Sequence, residues 1–410
     1  MTEFLELLPP QEALDLLLSN LNLQVESEEI QTQDALGRVS AHSVTAPHPL
    51  PAFPRSTVDG YAVRAADTFG ASDSLPAYLA MIGDVPMGAE SGLTLSPGQC
   101  ALIHTGGMLP EVADAIVMVE HTQTSRHGEV EILRAAGVGE NVLKVGEDVL
   151  QGQEVIPAGV PLRPAEIGGL MALGITHVKV ARKPRVGILS SGDEVIPPEH
   201  TPVAGQVRDI NSYTLKALVS QAGGEPYLFG IIPDQEDVLE QATSSALETC
   251  DLVVITAGSS ASTRDLTAQV VNSLGGPGVL VHGVNVRPGK PTILAVCNGK
   301  AVIGLPGNPV STLVIALLFV VPVIESLSGV ARRTPKPSVP ARLRINLPSQ
   351  AGREDWIPVQ LIVTEGGYLA EPVFGKSNLI FSLSRADGLV RIPPAANGLA
   401  AGEFVEVILL

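Results

Sequence analysis

The residues of this 410-residue chain best suited to chemistry lie in three short stretches rich in glycine and serine, each following an apolar run. Ser190-Ser191-Gly192-Asp193-Glu194 follows VGIL, and Ala257-Gly258-Ser259-Ser260-Ala261-Ser262-Thr263-Arg264-Asp265 follows LVVIT. Gly304-Leu305-Pro306-Gly307-Asn308-Pro309-Val310-Ser311-Thr312 continues KAVI. Small side chains let backbone N–H groups approach an anion. In the third stretch Asn308 as N-cap and Pro309 as first helical residue predict a helix whose amino end favours negative charge. VRPGKPT adds Arg287, Pro288, Gly289 and Lys290, a turn with two cations for a phosphate or another oxyanion. Asp193, Glu194 and Asp265 are hard oxygen ligands of the kind Mg2+ takes. Taken singly, these cations read as solvated and these aspartates as helix caps. Three such loops after successive strands point to an anionic ligand at one sheet edge. Asp59 in RSTVDGYAVR and Asp148 in KVGEDV lie elsewhere, and turn formation alone accounts for the Asp-Gly pair. His282 receives no catalytic role.

The elements that must position these loops follow from hydrophobic rhythm. Beyond RKPR at 182–185, continuous apolar runs (VGILSS, PYLFGII, LVVITAG) alternate with amphipathic helices (NSYTLKALVSQAGG, with Asn211 as N-cap, and DQEDVLEQATSSALETC). That alternation predicts a doubly wound α/β domain. Ahead of it, Pro9 to Asn20 reads as a packing helix with Ala13, Leu14, Leu17 and Leu18 on one face. PHPLPAFP, with four prolines, reads as an extended crossing. Short β-rich runs between Gly/Pro turns over about 60–140 read as an inserted β domain, and Arg163 to Leu173 as a helix. After RRTPKPSVP, residues 341–410 read as a small β barrel or sandwich.

Composition narrows the function classes. With 26 basic and 43 acidic residues the formal charge is −17, which disfavours nucleic acid and anionic membrane as partners. The apolar run Leu313 to Val321 is shorter than the ~20 residues of a bilayer span, and Glu3 and Glu6 stand where a signal peptide would be basic, so a soluble cytoplasmic protein is expected. Cys100, Cys250 and Cys297 have no paired spacing and read as buried free thiols.

Together STVDGYAVR, HTGGMLPEVADAIVMVE, VGEDVLQGQEVIPAG, LMALGI, VGILSSGDEV, DINSYTL, RPGKPT and GLPGNPVS resemble the molybdopterin molybdenumtransferase family, of the MoeA and gephyrin E-domain type. The pieces occur in family order along nearly the whole chain. The resemblance implies an α/β multidomain protein. Its parts would be an elongated discontinuous domain (1–48 and 137–181), an inserted β domain (49–136), a MogA-like doubly wound molybdopterin-binding domain (182–330) and a C-terminal β barrel (336–410). It also implies a homodimer whose active site lies between the α/β domain of one subunit and the elongated and inserted regions of the other. The implied reaction inserts molybdate into adenylylated molybdopterin with Mg2+ assistance, releasing AMP and the molybdenum cofactor. Molybdopterin adenylyltransferase and molybdoenzyme acceptors are the implied partners. Asp59, Asp148, Glu194 and Asp265 would bind Mg2+ or position molybdate. Arg287, Lys290 and the three loops would hold the substrate phosphates. The chain departs from the family where Gly-Gly-x-Ser-x-Gly-x-x-Asp-Tyr is usual: Ala257 to Leu266 lose two glycines and the tyrosine. Val58, Arg287 and Gly283 stand where relatives often carry methionine, lysine and lysine. The rival readings are a non-catalytic scaffold that binds molybdopterin and a tungstate-inserting enzyme.

Overall fold

The computed structural model describes residues 7–124, 128–257, 261–331 and 335–410, with backbone alone at 257 and 261–265. The strand Ser27–Gln31 pairs antiparallel with His177–Ala181, and Val44–Thr45 with Glu154–Ile156, so the first and third stretches of the chain share one small unit. Its core is Ala35, Ile156, Leu162, Leu170, Val178 and Val180, with Leu170 supplied by the helix Pro164–Ala172. The helix Pro10–Ser19 does not join that unit. Its buried Ala13, Leu14 and Leu17 pack into the core of the α/β region.

Between those stretches lies a six-stranded sheet in the order Ala115–Met118, Gly60–Val63, Gln99–Ile103, Ala77–Asp84, Glu129–Ile132, Thr122–Thr124. Gly60–Val63 is buried along its whole length, so its side chains split by strand period: Tyr61 and Val63 enter one core and Ala62 the other. Gly60 itself is dictated by contact, because an added Cβ would lie 2.0 Å from the Val117 carbonyl oxygen.

The α/β region is built from β1 (Arg185–Ser191), α1 (Asn211–Gln221), β2 (Glu225–Ile232), α2 (Glu236–Thr249), β3 (Leu252–Ala257), α3 (Ala261–Ser273), β4 (Pro277–His282), β5 (Ile293–Cys297), β6 (Lys300–Pro306) and α4 (Pro309–Ile315). The strand order is β2-β1-β3-β6-β5-β4. β2, β1, β3 and β6 are parallel and buried on both faces: Val254 and Ile303 pack toward α1 and α4, Val253 and Val302 toward α2 and α3. The sheet is mixed where the strand–helix rhythm predicts parallel pairing throughout. β5 runs antiparallel to both β4 and β6, because no helix separates them. Asn298 and Gly299, with φ of 52° and 82°, form the tight hairpin between β5 and β6.

α4 continues through a π-helical stretch, Ala316–Val320, into the helix Val321–Leu327. The apolar run read as too short for a bilayer is thus part of a 19-residue helix, Pro309–Leu327, apolar enough to span one; 61% of its most apolar window is buried inside the molecule. It is a core helix centred on Phe319, which is fully buried.

The C-terminal strands β7 (Ser338–Leu343), β8 (Glu354–Thr364), β9 (Gly367–Pro372), β10 (Gly388–Ile392) and β11 (Phe404–Leu409) form a closed barrel, with the helix α5 (Ile380–Ser384) between β9 and β10. Closure comes from β8, which is long enough to pair with both β9 and β10.

Candidate active site

The carboxyl ends of β1, β3 and β6 stand level: Ser190 faces Thr256, Thr256 faces Leu305, and Ala257 faces Pro306. Gly304 faces Ile293 at the start of β5, which faces His282 at the end of β4. Four connections therefore open on one edge: those after Ser191, Ala257 and Pro306, and the β4–β5 link carrying Arg287 and Lys290. Open α/β sheets bind ligands at such an edge.

In the first loop Ser190 and Ser191 are buried, while Asp193 and Glu194 are exposed. Ser191 Oγ donates to Asp234 Oδ1 at 2.5 Å, and the Asp234 N–H donates to Asp193 Oδ1 at 3.2 Å. Ser191 and Asp193, predicted to touch substrate, thus fasten this loop to the end of β2. Glu194 lies over Gly192, whose φ is +150° and whose added Cβ would fall 2.9 Å from Glu194 Oε2.

In the third loop, Gly304 lies inside β6, and an added Cβ would come 3.0 Å from Ile293 Cβ. Its small side serves strand packing instead of ligand approach. Asn308 holds the N-cap position without a side-chain capping bond, and Pro309 begins the helix as predicted. Thr312 Oγ1 donates to Pro306 O at 2.5 Å, and Pro309, Ser311 and Thr312 are buried. The Val310 N–H, one of the donors expected to meet an anion, is taken by Ser377 O of the barrel at 3.0 Å. Asn211 is the first residue of α1 and not its N-cap, which is Ile210; Asp209 Oδ1 accepts the Ser212 N–H at 3.1 Å instead. The freed Asn211 side chain crosses to the third loop and donates from Nδ2 to Gly307 O at 2.8 Å. Its Oδ1 is buried with no hydrogen-bond partner, an acceptor left unused.

The β4–β5 link is rigid. The Gly283 N–H donates to Thr292 O, the Val284 N–H to Lys290 O, and Thr292 Oγ1 to Gly289 O at 2.6 Å. Gly289 has φ +114°, and an added Cβ would strike Ile315 at 2.3 Å. Arg287 and Lys290 are exposed and Pro288 half-buried. Arg287 Nη1 lies 3.9 Å from Asp355 Oδ2 of the barrel, whereas Lys290 has no ion-pair partner among the described residues.

In the second loop, Gly258, Ser259 and Ser260 lie outside the described residues, as do the side chains of Ser262, Arg264 and Asp265. The backbone carries residues 262, 264 and 265 at the start of α3.

Asp59 lies in the bend just before the strand Gly60–Val63, against the HTGG segment. Its Oδ1 accepts the Thr105 N–H at 2.7 Å and the Thr105 hydroxyl at 3.1 Å, and His104 Nδ1 is 3.6 Å away. The Thr105 backbone donor, then its hydroxyl, lower the Asp59 pKa below its ordinary 3.8, so this exposed carboxylate is ionised at neutral pH. Asp148 is also exposed, its N–H donated to Leu50 O at 3.1 Å. Among the described residues no three of His, Cys, Asp and Glu stand close enough to hold a metal ion. Asp59, Asp148 and Glu194 are therefore not assembled within one chain.

All three cysteines are buried and free. Burial pushes the Cys100 thiol up to about 12 and Cys297 up to about 11, which excludes thiolate chemistry there at neutral pH. Sequence reading passed over Thr105, Asp209 and Asp234. Thr105 lies beside a paired glycine, a visible signal; Asp234 reads as an ordinary helix cap, and only register brings it to Ser191.

Family models match in chain order: the MoeA N-terminal region (domain I and II) over residues 8–174, a probable molybdopterin binding domain over 187–326, and the MoeA C-terminal region (domain IV) over 340–410. The molybdopterin molybdenumtransferase of Nostoc sp. is 34% identical, with 96% of this chain and 91% of that one aligned. The Bacillus subtilis protein of the same name is 33% identical over 94% and 90%. Two solved structures of molybdopterin biosynthesis MoeA proteins from Pyrococcus horikoshii superpose with TM-scores of 0.86 and 0.80, at 32% and 38% identity. They cover 99% and 98% of this chain, and 100% and 99% of theirs. Matched over its whole architecture, from the strand-paired amino-terminal unit to the closed barrel, the chain belongs to the molybdopterin molybdenumtransferase family.

Proposed function

We propose that this protein is a molybdopterin molybdotransferase that inserts molybdate into adenylylated molybdopterin, releasing AMP and the mature cofactor. The observation that carries this reading is the convergence of four connections, two exposed cations among them, on one edge of a sheet in a chain with full-length relatives of that name. Lys290 and Arg287 supply positive charge for the phosphates and the oxyanion, and the rigid β4–β5 link fixes the backbone from which they extend. Ser190, Pro306, Gly307, Asn308 and Ser311 shape the wall against which the substrate lies.

Hard carboxylate oxygens suit Mg2+, which needs only one or two of them when substrate phosphates complete its shell. Exposed Glu194, at the edge, meets that requirement, and Asp265 would be its companion. When bound, Mg2+ would neutralise charge on the phosphoanhydride. Asp59 and Asp148 are exposed on other segments, which favours a homodimer in which a second subunit presents them to this edge.

The test is direct. Purified protein given Mg2+, molybdate and adenylylated molybdopterin is expected to release AMP and activate a molybdenum-free apoenzyme. Binding of the substrate without AMP release would instead support a scaffold. Tungstate run in parallel shows which oxyanion is inserted.

A further inference from the structure

The barrel reaches the β4–β5 link directly. The two-residue strand Val286–Arg287 pairs in parallel with the start of β8, Val286 facing Glu354 and Arg287 facing Asp355. The Glu354 N–H donates to Asn285 O at 3.1 Å, and Asn285 Nδ2 donates to Gly352 O. Asp355 is fully buried. Its Oδ1 accepts from Arg353 Nε at 2.8 Å, and its Oδ2 from Ser349 Oγ at 2.9 Å, with Arg287 Nη1 3.9 Å from that second oxygen. An ordinary interdomain ion pair would account for the last contact alone. Two features go beyond it. Arg353 and Ser349 already satisfy the carboxylate, so the barrel has no need of Arg287. The Arg287 side chain is 62% exposed, so most of its five donors stay open to a ligand.

We propose that Asp355 is a positioning residue: from inside the barrel it orients the Arg287 guanidinium toward a tetrahedral oxyanion at the sheet edge. This rests on the reaction proposed above. Asp355 touches no substrate; it narrows the range over which a long, flexible side chain sweeps, so that the oxyanion meets a prepared donor.

A double-mutant cycle on the full-length protein tests it. Asp355→Asn is expected to lower kcat/KM about tenfold with Arg287 present and less than about twofold in an Arg287→Ala background. Equal losses in both backgrounds overturn the proposal, because mere destabilisation of the barrel acts whether or not Arg287 is there. A rise in KM for molybdate assigns the oxyanion to molybdate; a rise for adenylylated molybdopterin assigns it to a substrate phosphate. If Asp355→Asn fails to fold, Asn285→Ala, which loosens the same strand, decides: a loss of about threefold only when Arg287 is present supports the proposal, and equal loss overturns it. An inactive wild type refutes the reaction, whereas an active wild type with an additive cycle refutes only the positioning.

Discussion

The two ends of the central α/β sheet handle charge in opposite ways. At the amino end, Arg182 is held by Asp251 through two bonds of 3.0 Å and by Glu26 at 2.6 Å, while Arg38 pairs with Glu28 and donates to Ala181 O. These arginines line a cleft of about 410 Å³ where the amino-terminal unit meets the α/β region. At the carboxyl end Lys290 is unpaired among the described residues and Arg287 is mostly exposed. The cleft marks a seam whose two arginines are already paired; the carboxyl edge, with charges left over, is the site proposed above.

The comparison can be broken most sharply at the carboxyl end. Lys290→Ala and Asp59→Ala are each expected to lower kcat/KM by about 100-fold or more while the thermal midpoint stays within about 2 °C of wild type. Near-wild-type turnover in either variant removes that residue from the site. At the amino end Arg182→Ala should do the reverse. It takes two donors from Asp251, which keeps the Arg185 N–H, and one from Glu26, and an expected loss of about 2 kcal/mol, read by urea unfolding, leaves KM for molybdate unchanged. A smaller effect belongs to Asn211→Ala, which deprives Gly307 O of its donor: about 1 kcal/mol of stability. If stability is unchanged while substrate affinity falls, the unused Oδ1 belongs to the site instead.

The smallest effect concerns pH. Because the Asp59 pKa is lowered on folding, its contribution to stability is present above the ordinary carboxylate value and is lost as pH falls through the lowered folded one. Thr105→Val removes the hydroxyl donor but keeps the backbone N–H, the stronger of the two influences. The Asp59 carboxyl is therefore expected to titrate higher than in wild type but still below the ordinary value, as followed by carbon-detected NMR. An unshifted titration would mean that the backbone donor acts alone.

The sequence announced the α/β domain clearly because strands buried on both faces read as unbroken apolar runs, and VGIL and LVVIT are such runs. It misjudged the far edge of the sheet. Asn298-Gly299 is a strong short hairpin signal, yet the strand–helix alternation read over the earlier part of the domain makes no use of it. The candidate loops were legible from glycine and serine content, but not the task of each residue. Ser191 and Asp193 look like ligands by type, and register gives both a second task as fasteners, since Asp234 arrives from 43 residues beyond Ser191. Asn211 likewise looks like a cap, but Ile210 holds that position and Asp209 accepts the Ser212 N–H. Long-range contacts of this kind leave no local periodicity to read.

The pairing of Val286–Arg287 with the first residues of β8 has a consequence for biosynthesis. A ribosome delivers the barrel after every loop of the site has emerged, so the cationic link must wait for a neighbour made later. A chain interrupted before β8 would carry the four connections and still lack the strand that fixes Arg287. If the proposed brace holds, competence waits for the barrel, and chains interrupted before it are expected to be poor competitors for substrate.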